Sequence, residues 1–311
     1  PSVMRLLAAL FKVTAVLAVK RPRYVYTILN QNFSGFVRDS IIVLISKAFG
    51  KKAVLHFRGS TFHLFYTRQN LFFKAYIRFI LRLTDAIILQ AQWIKERFTQ
   101  LVPEAKLRVI PNAVPAEAFL ERGEGTKGLN GNGVTVLYLN HISVAKGFKV
   151  LLDAMRAIVA ERDDIRFLIA GDRIDREKNI FHDEAGRPIG CEDLSADLAE
   201  ILKDPNTRER VQFIGEVSDK KSKDELFRAA DLFVLASYSE GFPLSVLEAM
   251  AAGLPLVVTP VGALKEILQD GVNALFVEPG KADDLREKIL RLADEASRRK
   301  EMGERNQSLV R

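Results

Sequence analysis

Short apolar runs rich in β-branched residues alternate with helical stretches along most of the chain, and this alternation is the strongest constraint on its fold. In the first part, four such runs predict strands at 24–29, 53–57, 86–90 and 107–110. Stretches of helical composition separate them at 35–49, 69–83 and 92–101. Strands joined through helices of this length pair in parallel, so a parallel sheet covered by helices is predicted.

The same alternation restarts after a glycine-rich segment. Residues 123–133 read Gly-Glu-Gly-Thr-Lys-Gly-Leu-Asn-Gly-Asn-Gly, which is typical of a connector. Beyond it, strands are predicted at 134–139, 166–170, 211–214, 232–236, 254–258 and 274–277, and helices at 148–161, 193–203, 222–229, 244–252, 262–268 and 283–296. We therefore predict an α/β protein with a first Rossmann-like domain over residues 1–115, a linker over 116–133, and a doubly wound second domain over 134–311.

Positive charge is concentrated in the first part of the chain. The net charge is +7, but residues 1–125 hold 19 Lys and Arg against 7 Asp and Glu, whereas residues 126–311 hold 27 against 32. An anionic partner is therefore expected for the first domain only. The basic residues form no RNP or zinc-finger pattern, so no nucleic-acid partner is predicted. An anionic membrane surface is the other anionic partner to consider, and the alternative is a basic surface that only aids solubility.

The N-terminal stretch and the cysteine content bear on the cellular compartment. Residues 2–19 are the nearest to a transmembrane pattern, but Arg5 and Lys12 interrupt them, and roughly 18 uninterrupted apolar residues are needed. They predict an amphipathic helix that either faces the core or lies on a membrane. The single cysteine, Cys191, forms no internal disulfide, and no Cys/His cluster has metal-ligand spacing. These features favour a reducing cytoplasm and predict no zinc site.

The most specific pattern is a pair of glutamates, Glu240 and Glu248, on either side of a Gly-Phe-Pro-Leu turn. Glu240 follows a predicted strand, Pro243 suits a first helical position, and helix formers continue from Leu244. This arrangement points the free amides of a helix N-terminus beyond a strand end, where they form an anion site, and Gly241 allows a phosphate to approach the backbone. Glu248, about one turn into the helix, is placed to accept hydrogen bonds from a polyol such as ribose.

This pattern resembles the E-x7-E signature of the retaining glycosyltransferases of family 4. Further matches follow in the order of that family: Val109-Ile110-Pro111-Asn112-Ala113-Val114, Lys146-Gly147, Phe167-Leu168-Ile169-Ala170-Gly171-Asp172, Phe213-Ile214-Gly215, and the runs 229–237 and 270–275. The resemblance implies two Rossmann-like domains facing a cleft, the GT-B fold. Family members also have an N-terminal strand with a glycine-rich loop and a C-terminal crossover helix. Neither is found in this sequence, so the first domain is expected to be incomplete at its N-terminus.

The resemblance also implies an activity, which is transfer of a sugar from a nucleotide-diphosphate sugar to a glycan or lipid-linked acceptor in surface polysaccharide or glycolipid biosynthesis. The leaving phosphate itself is expected to accept the proton of the acceptor. The donor is expected to be a UDP-, GDP- or ADP-sugar, used as a substrate, and no cofactor is expected. No divalent metal is expected either, because no Asp-x-Asp stands at a plausible strand end. The expected localisation is the cytoplasm, with peripheral attachment to the inner face of the membrane.

The resemblance assigns expected roles to individual residues. Catalytic roles are expected for Glu240 at the donor sugar, Lys146 at the departing phosphate, and His56, for which a buried structural role is the alternative. His141 stands where the family usually has an arginine that shares the phosphate. The residues expected to bind the nucleotide and phosphate are Glu248, Gly241, Phe242, Pro243, Leu244, His141, Gly215 and Asp172, and those expected on the acceptor or sugar side are Arg58, Gly59 and His63.

Three other functions remain open at this point. A nucleotide-sugar epimerase shares the architecture, although the Glu-Gly-Phe-Pro turn followed by Glu248 argues against it. A non-catalytic module that binds a nucleotide sugar or a membrane fits the missing N-terminal elements and the replaced arginine. A nucleic-acid binder is the least favoured, and its binding would depend steeply on salt.

Overall fold

The computed structural model describes residues 3–120, 133–172, 181–189 and 194–311. The chain divides into two compact units, Pro1–Pro111 and Asn112–Arg311. Residues just after Pro111 bond within the second unit, because the side-chain amide of Asn112 donates to the carbonyl of Phe242 at 2.6 Å. The first unit therefore ends a few residues before the predicted limit at residue 115, and most of the predicted linker lies outside the described residues.

The first unit is built on a parallel sheet. Its elements are α1 (Val3–Lys20), β1 (Tyr24–Ile28), α2 (Phe33–Ala48), β2 (Lys52–His56), α3 (Phe62–Thr67), α4 (Leu71–Leu83), β3 (Ala86–Leu89), α5 (Gln92–Phe98) and β4 (Leu107–Val109). Within the described residues, the strands pair in the order β1-β2-β3-β4, all parallel. Alternate residues of β2 and β3 are fully buried, among them Leu55 and Ile87. Tyr24, Tyr26 and Ile28 of the edge strand β1 are exposed.

The second unit is a larger doubly wound domain. Its elements are β5 (Val134–Leu139), α6 (Phe148–Glu161), β6 (Ile165–Ala170), β7 (Phe181–His182), β8 (Pro188–Ile189), α7 (Ser195–Ile201), α8 (Pro205–Arg210), β9 (Val211–Gly215), α9 (Lys220–Ala229), β10 (Leu232–Leu235), α10 (Leu244–Ala251), β11 (Leu256–Val258), α11 (Leu264–Ile267), β12 (Ala274–Phe276), α12 (Ala282–Asp294) and α13 (Ala296–Val310). Among the described residues, one parallel sheet has the order β12-β11-β10-β5-β6-β9. Strands β5 and β10 are buried along their whole length, as a sheet covered on both faces requires.

All ten predicted strands are confirmed, with ends shifted by at most two residues. Three helices were not predicted: α3, α8 and α13. The sequence of α13 is strongly polar, and its buried residues are Met302, Gly303 and Asn306, so it lacks the apolar stripe from which a helix is recognised.

The N-terminal helix is confirmed, but it does not face the core. Leu17 of α1 is buried, whereas Met4, Leu7 and Phe11 are exposed, so the core-facing interpretation is wrong for most of this helix. No helix in the described part of the chain is long and apolar enough to cross a membrane.

Helix α13 is fixed to the second unit by close backbone contact. A Cβ atom on Gly303 would lie 2.1 Å from the carbonyl oxygen of Gly253, so the two backbones touch. The Asn306 side chain donates to the carbonyl of Leu254 at 2.8 Å, and the Gln307 side chain donates to that of Ala251 at 3.0 Å. Gly303 is therefore required by packing.

We expect Gly303→Ala to lower the free energy of unfolding by about 1–3 kcal/mol, because the added methyl group overpacks a backbone contact. Urea denaturation measures the change. Ser308→Ala on the exposed face of the same helix is the control, and it should alter stability by less than about 0.5 kcal/mol. Equal effects of the two substitutions would contradict the close packing of α13.

Candidate active site

The candidate site lies at the carboxyl ends of β5 and β10 in the second unit. These strands are neighbours, but the chain leaves β5 for β6 on its other side, so the strand order reverses between β5 and β10. Ligands of doubly wound sheets bind at such a switch point. The loops that follow the two strands carry Lys146 and Glu240, the two residues predicted for the departing phosphate and the donor sugar.

The two loops are packed directly against each other. Gly147 has a φ of +69°, and a Cβ atom on it would lie 1.8 Å from the carbonyl oxygen of Ala236. Beside this contact, the amide of Tyr238 donates to the carbonyl of Ala145 at 3.1 Å. Glycine is thus needed at position 147 both for its conformation and for the close approach.

The packed loops bring Lys146 and Glu240 together. Nζ of Lys146 donates to Oε1 of Glu240 at 2.8 Å, and the Glu240 side chain is only 9% exposed. The same oxygen accepts from Oγ of Ser237 at 2.8 Å and from Nδ2 of Asn140 at 3.4 Å. Asn140 was missed from the sequence because its bond depends on a contact between distant loops. Ser237 was missed because its bond to Glu240, three residues on, depends on the conformation of the turn.

Tyr138, in strand β5, holds the loop that carries Lys146. Its side chain is fully buried, and its hydroxyl donates to the carbonyl of His141 at 2.7 Å. Burial, together with the negative charge of Glu240, raises the pKa of Tyr138 well above its usual value. Tyr138 therefore stays a neutral donor, which fixes the backbone of the loop after β5. The imidazole of His141 is exposed at the start of that loop.

The turn after Glu240 is held by its carbonyl groups. The carbonyl of Gly241 accepts from the amide of Ala263 at 2.9 Å, and the carbonyl of Phe242 accepts from Asn112. Gly262 packs beneath the turn, with a φ of +61° and room for no side chain beside the Glu240 carbonyl. A short hairpin, β7–β8, braces it further, since Glu184 accepts from the amide of Gly262. Residues 181–189 thus form a hairpin, and the residues on either side of it, 173–180 and 190–193, lie outside the described part of the chain.

Helix α10 begins immediately after this turn. Pro243 is its N-cap residue and not its first helical residue as predicted, and no side chain caps the helix. The amides of the first turn, beginning at Leu244, are therefore available to an anion. Phe242 and Pro243 are buried, so what these two residues offer a ligand is main chain.

Glu248 lies about one turn into α10 and is partly exposed. Its Oε1 accepts from Nζ of Lys223, at the start of α9, at 3.0 Å. Each glutamate of the pair is thus bonded to one lysine, Glu240 to a lysine of the loop after β5 and Glu248 to a lysine of α9. Lys223 could not be recognised from the sequence, because it belongs to a run of lysines typical of a solvated helix.

Gly215 and Asp172 act in the structure through their main chain. The carbonyl of Gly215 accepts from the amide of Gly171 at 2.8 Å. The carbonyl of Asp172 accepts from the amide of Ile142 at 2.9 Å. The first bond joins the ends of β6 and β9, and the second places the residues after β6 against the loop after β5. The Asp172 side chain is exposed at this edge, and the donor-binding roles of both residues stay predictions.

The residues predicted in the first unit are Arg58, Gly59 and His63, beside His56. His56 ends β2, and its Nδ1 is hydrogen bonded to the hydroxyl of Tyr26. Burial, followed by the nearby charge of Arg58, lowers the pKa of His56. Arg58 itself is exposed.

Gly59 and His63 lie in the segment that follows β2. A Cβ atom on Gly59 would meet only the end of the flexible Gln31 side chain, so packing does not strictly require this glycine. His63 is near the carbonyl of Ser60, and Nη1 of Arg97 lies 2.9 Å from its Nε2. The predicted catalytic and acceptor roles in this unit are not tested by these contacts.

Within the described ranges, no group of three or more His, Cys, Asp or Glu side chains is placed to hold a metal ion.

The family of the chain follows from comparison with known proteins. Residues 124–309, more than half of the chain, match the family described as glycosyl transferases group 1. The chain belongs to this family.

Two curated relatives of this chain carry different names. Mannosylfructose-phosphate synthase of Agrobacterium fabrum is 33% identical over 49% of this chain and 31% of its own length. A GDP-mannose:cellobiosyl-diphosphopolyprenol alpha-mannosyltransferase of Xanthomonas oryzae is 24% identical over 81% of this chain and 61% of its own length. The chain thus spans between about a third and three fifths of the length of these two group 1 proteins.

Solved structures share the fold of this group 1 chain. One is HepE of Anabaena, in a complex described as containing UDP and glucose. It is 18% identical, the match covers 100% of this chain and 78% of the HepE chain, and the TM-score is 0.74. Another is sucrose-phosphate synthase of Thermosynechococcus elongatus. It is 18% identical, the match covers 98% of this chain and 73% of the synthase chain, and the TM-score is 0.75. The predicted α/β class with two Rossmann-like domains is confirmed, and it matches the GT-B glycosyltransferase fold.

The lowered pKa of His56 predicts a pH dependence of stability. The unfolded chain binds the proton near the ordinary histidine pKa of about 6.5, whereas the folded chain binds it only at lower pH. The contribution of His56 is therefore fully present above about pH 6.5 and is lost as pH falls through the lower folded pKa.

We expect His56→Gln to flatten the decrease in stability between about pH 7 and pH 5, measured as urea midpoints at each pH. Ser308→Ala, at an exposed residue that does not titrate, is the control and should leave the decrease unchanged. Identical curves for wild type and His56→Gln would overturn the assignment.

Proposed function

We propose that the protein is a retaining glycosyltransferase that moves a sugar from a nucleotide-diphosphate sugar to a glycan or lipid-linked acceptor in surface polysaccharide or glycolipid biosynthesis. The observation that carries this proposal is the Lys146–Glu240 pair, 2.8 Å apart, next to the uncapped start of α10 at the switch point of the sheet. The arrangement combines a cation, free amides and a buried carboxylate, which are the groups that a departing diphosphate and an adjacent sugar require.

The chemistry follows from these positions. The amides at the start of α10 and the ammonium of Lys146 stabilise the negative charge that grows on the departing phosphate. Glu240 holds the donor sugar from the other side of the same turn. The bond between the anomeric carbon and the phosphate oxygen breaks, and a bond to the acceptor oxygen forms on the same face. The acceptor proton passes to the leaving phosphate, so no protein base is needed.

The names of relatives support a nucleotide sugar as donor. A mannosyltransferase that uses GDP-mannose matches most of this chain, and the Anabaena HepE structures contain UDP or UDP-glucose. The two sources differ in nucleotide, so UDP-, GDP- and ADP-sugars all remain candidates. Glu248, one turn into α10, is the group proposed for the ribose.

Two alternatives predict different products. A nucleotide-sugar epimerase would convert one nucleotide sugar into another and would release no nucleoside diphosphate at steady state. A non-catalytic module would bind the nucleotide without turnover. Release of nucleoside diphosphate that depends on an acceptor separates the proposed transferase from both.

We expect UDP, GDP or ADP to stabilise the wild-type chain by roughly 2.7 kcal/mol when the nucleotide is present at about 100 times its dissociation constant. Thermal unfolding measures this shift, and Glu248→Ala should abolish most of it. The exposed Glu225→Ala on α9 is the control and should retain the full shift. If no nucleotide stabilises the wild type, the donor site is contradicted.

In the assay of transfer, Glu240→Gln should slow turnover about a hundredfold or more, because it removes a fixed charge from the reacting centre.

We propose that the reaction is independent of a divalent metal, so excess EDTA should leave the rate unchanged. Loss of turnover in EDTA, restored by Mg²⁺, would overturn that part of the proposal.

We also propose that the protein works in the cytoplasm, bound peripherally to an anionic membrane surface through its first unit. Residues 1–111 contain 18 Lys and Arg but only four Asp and Glu. The outer face of α4 exposes Leu71 (82%), Phe72 (89%) and Phe79 (54%) beside Arg78 and Arg82. An exposed apolar stripe flanked by cations, on a helix without an acidic residue, is the arrangement that lies in the interface of an anionic bilayer.

We expect the chain to float with vesicles that contain about a third phosphatidylglycerol, and to bind phosphatidylcholine vesicles much less. Phe72→Ser together with Phe79→Ser should reduce flotation by roughly tenfold or more, because two apolar anchors are lost. Phe49→Ser, at an exposed phenylalanine after α2, is the control. Equal flotation of all these proteins would contradict membrane binding through the exposed face of α4. Self-association at high concentration without vesicles would assign this face to a contact between proteins.

A further inference from the structure

Lys223 forms an ion pair with Glu248 that neither the sequence patterns nor the family match explains. Three lysines lie near the start of α9. Lys220 pairs along the helix with Asp224, and the strongly exposed Lys221 lies 4.0 Å from Glu225. Lys223 instead leaves its own helix and bonds Glu248 on α10 at 3.0 Å. Its ammonium thus joins two elements at the edge of the candidate site.

The contact fixes which oxygen of Glu248 faces a ligand. Lys223 occupies Oε1, and no bond to Oε2 is found among the described residues. Both side chains are partly buried, at 29% and 23% exposure, so the pair is shielded from solvent more than an ordinary surface pair. A carboxylate held by one oxygen has its other oxygen oriented, whereas a free glutamate side chain samples many rotamers.

We propose that Lys223 is a positioning residue for nucleotide recognition, which holds Glu248 so that its second oxygen accepts from the ribose hydroxyls of the donor. This inference rests on the proposed function, because it takes Glu248 as the ribose-binding group. It adds a residue on α9 to the donor site. The ligand class is a nucleoside diphosphate with an intact ribose diol.

The inference predicts a specific loss, namely the preference for a ribose that carries hydroxyl groups. A hydrogen bond to a charged group contributes about 1.5–3 kcal/mol, so the wild type should bind the ribonucleotide about 10- to 100-fold more tightly than its 2′,3′-dideoxy analogue. Lys223→Met keeps the length of the side chain and removes its charge. It should reduce that preference at least threefold, and Lys223→Arg should keep more of it.

The experiment uses whichever of UDP, GDP and ADP stabilises the wild-type chain most, with its dideoxy analogue, and measures both affinities by calorimetry. Lys221→Met is the matched control on the same helix and should leave both affinities unchanged. Glu248→Ala should abolish the preference, and adding Lys223→Met to it should change nothing further, because the lysine acts through the glutamate. Thermal midpoints without ligand identify any variant that fails to fold, and Lys223→Arg then provides the comparison.

The outcomes are distinct. If Lys223→Met weakens both ligands equally, the lysine contacts phosphate directly and the positioning role is overturned. If Lys223→Met behaves as Lys221→Met does, the ion pair has no part in binding, and the inference fails while the proposed function stands. If the wild type binds none of the three nucleotides, the proposed function fails and the inference fails with it.

Discussion

The close approach of Gly147 to the carbonyl of Ala236 is the contact on which the candidate site depends. It allows the loops after β5 and β10 to touch, and together with the hydrogen bond from Tyr238 to Ala145 it holds Lys146 within hydrogen-bonding distance of Glu240. Any side chain at position 147 would push the loops apart by more than the length of that bond allows. The Lys146–Glu240 ion pair therefore depends on the backbone geometry at Gly147.

Around this contact, most of the support comes from main-chain groups. The carbonyls of His141, Gly241 and Phe242 are each held by a donor, from Tyr138, Ala263 and Asn112 respectively. Bonds of this kind leave the amide side of the turn after Glu240 and the start of α10 free to meet a ligand. A rigid turn of this sort is preorganised, so little ordering remains when a phosphate arrives.

Much of this arrangement was predictable from the sequence, because apolar runs in parallel sheets are long enough to recognise and the Glu240–Glu248 spacing is specific. The ends of strands were correct to within two residues. Helix α13 was missed, since one close backbone contact and two side-chain amides hold it and no apolar stripe does. Asn140, Ser237 and Lys223 were missed for a different reason. Asn140 and Lys223 have partners far away in sequence, Ser237 bonds a glutamate within its own turn, and polar residues of these types are usually solvated.

The pairing of each glutamate with a lysine has a consequence for how a donor finds the site. Lys146 and Lys223 are neutralised by Glu240 and Glu248, and residues 112–311 as a whole carry 28 Lys and Arg against 35 Asp and Glu. This unit therefore offers an approaching diphosphate no excess of positive charge of its own that would steer it to the site. The Glu240 carboxylate acts as a stand-in anion that keeps the ammonium group of Lys146 in place until a phosphate arrives, whereas the bond between Lys223 and Glu248 persists when the ligand binds. Selection of the ligand then occurs at contact distance, where shape and hydrogen-bond geometry decide, and not during diffusion.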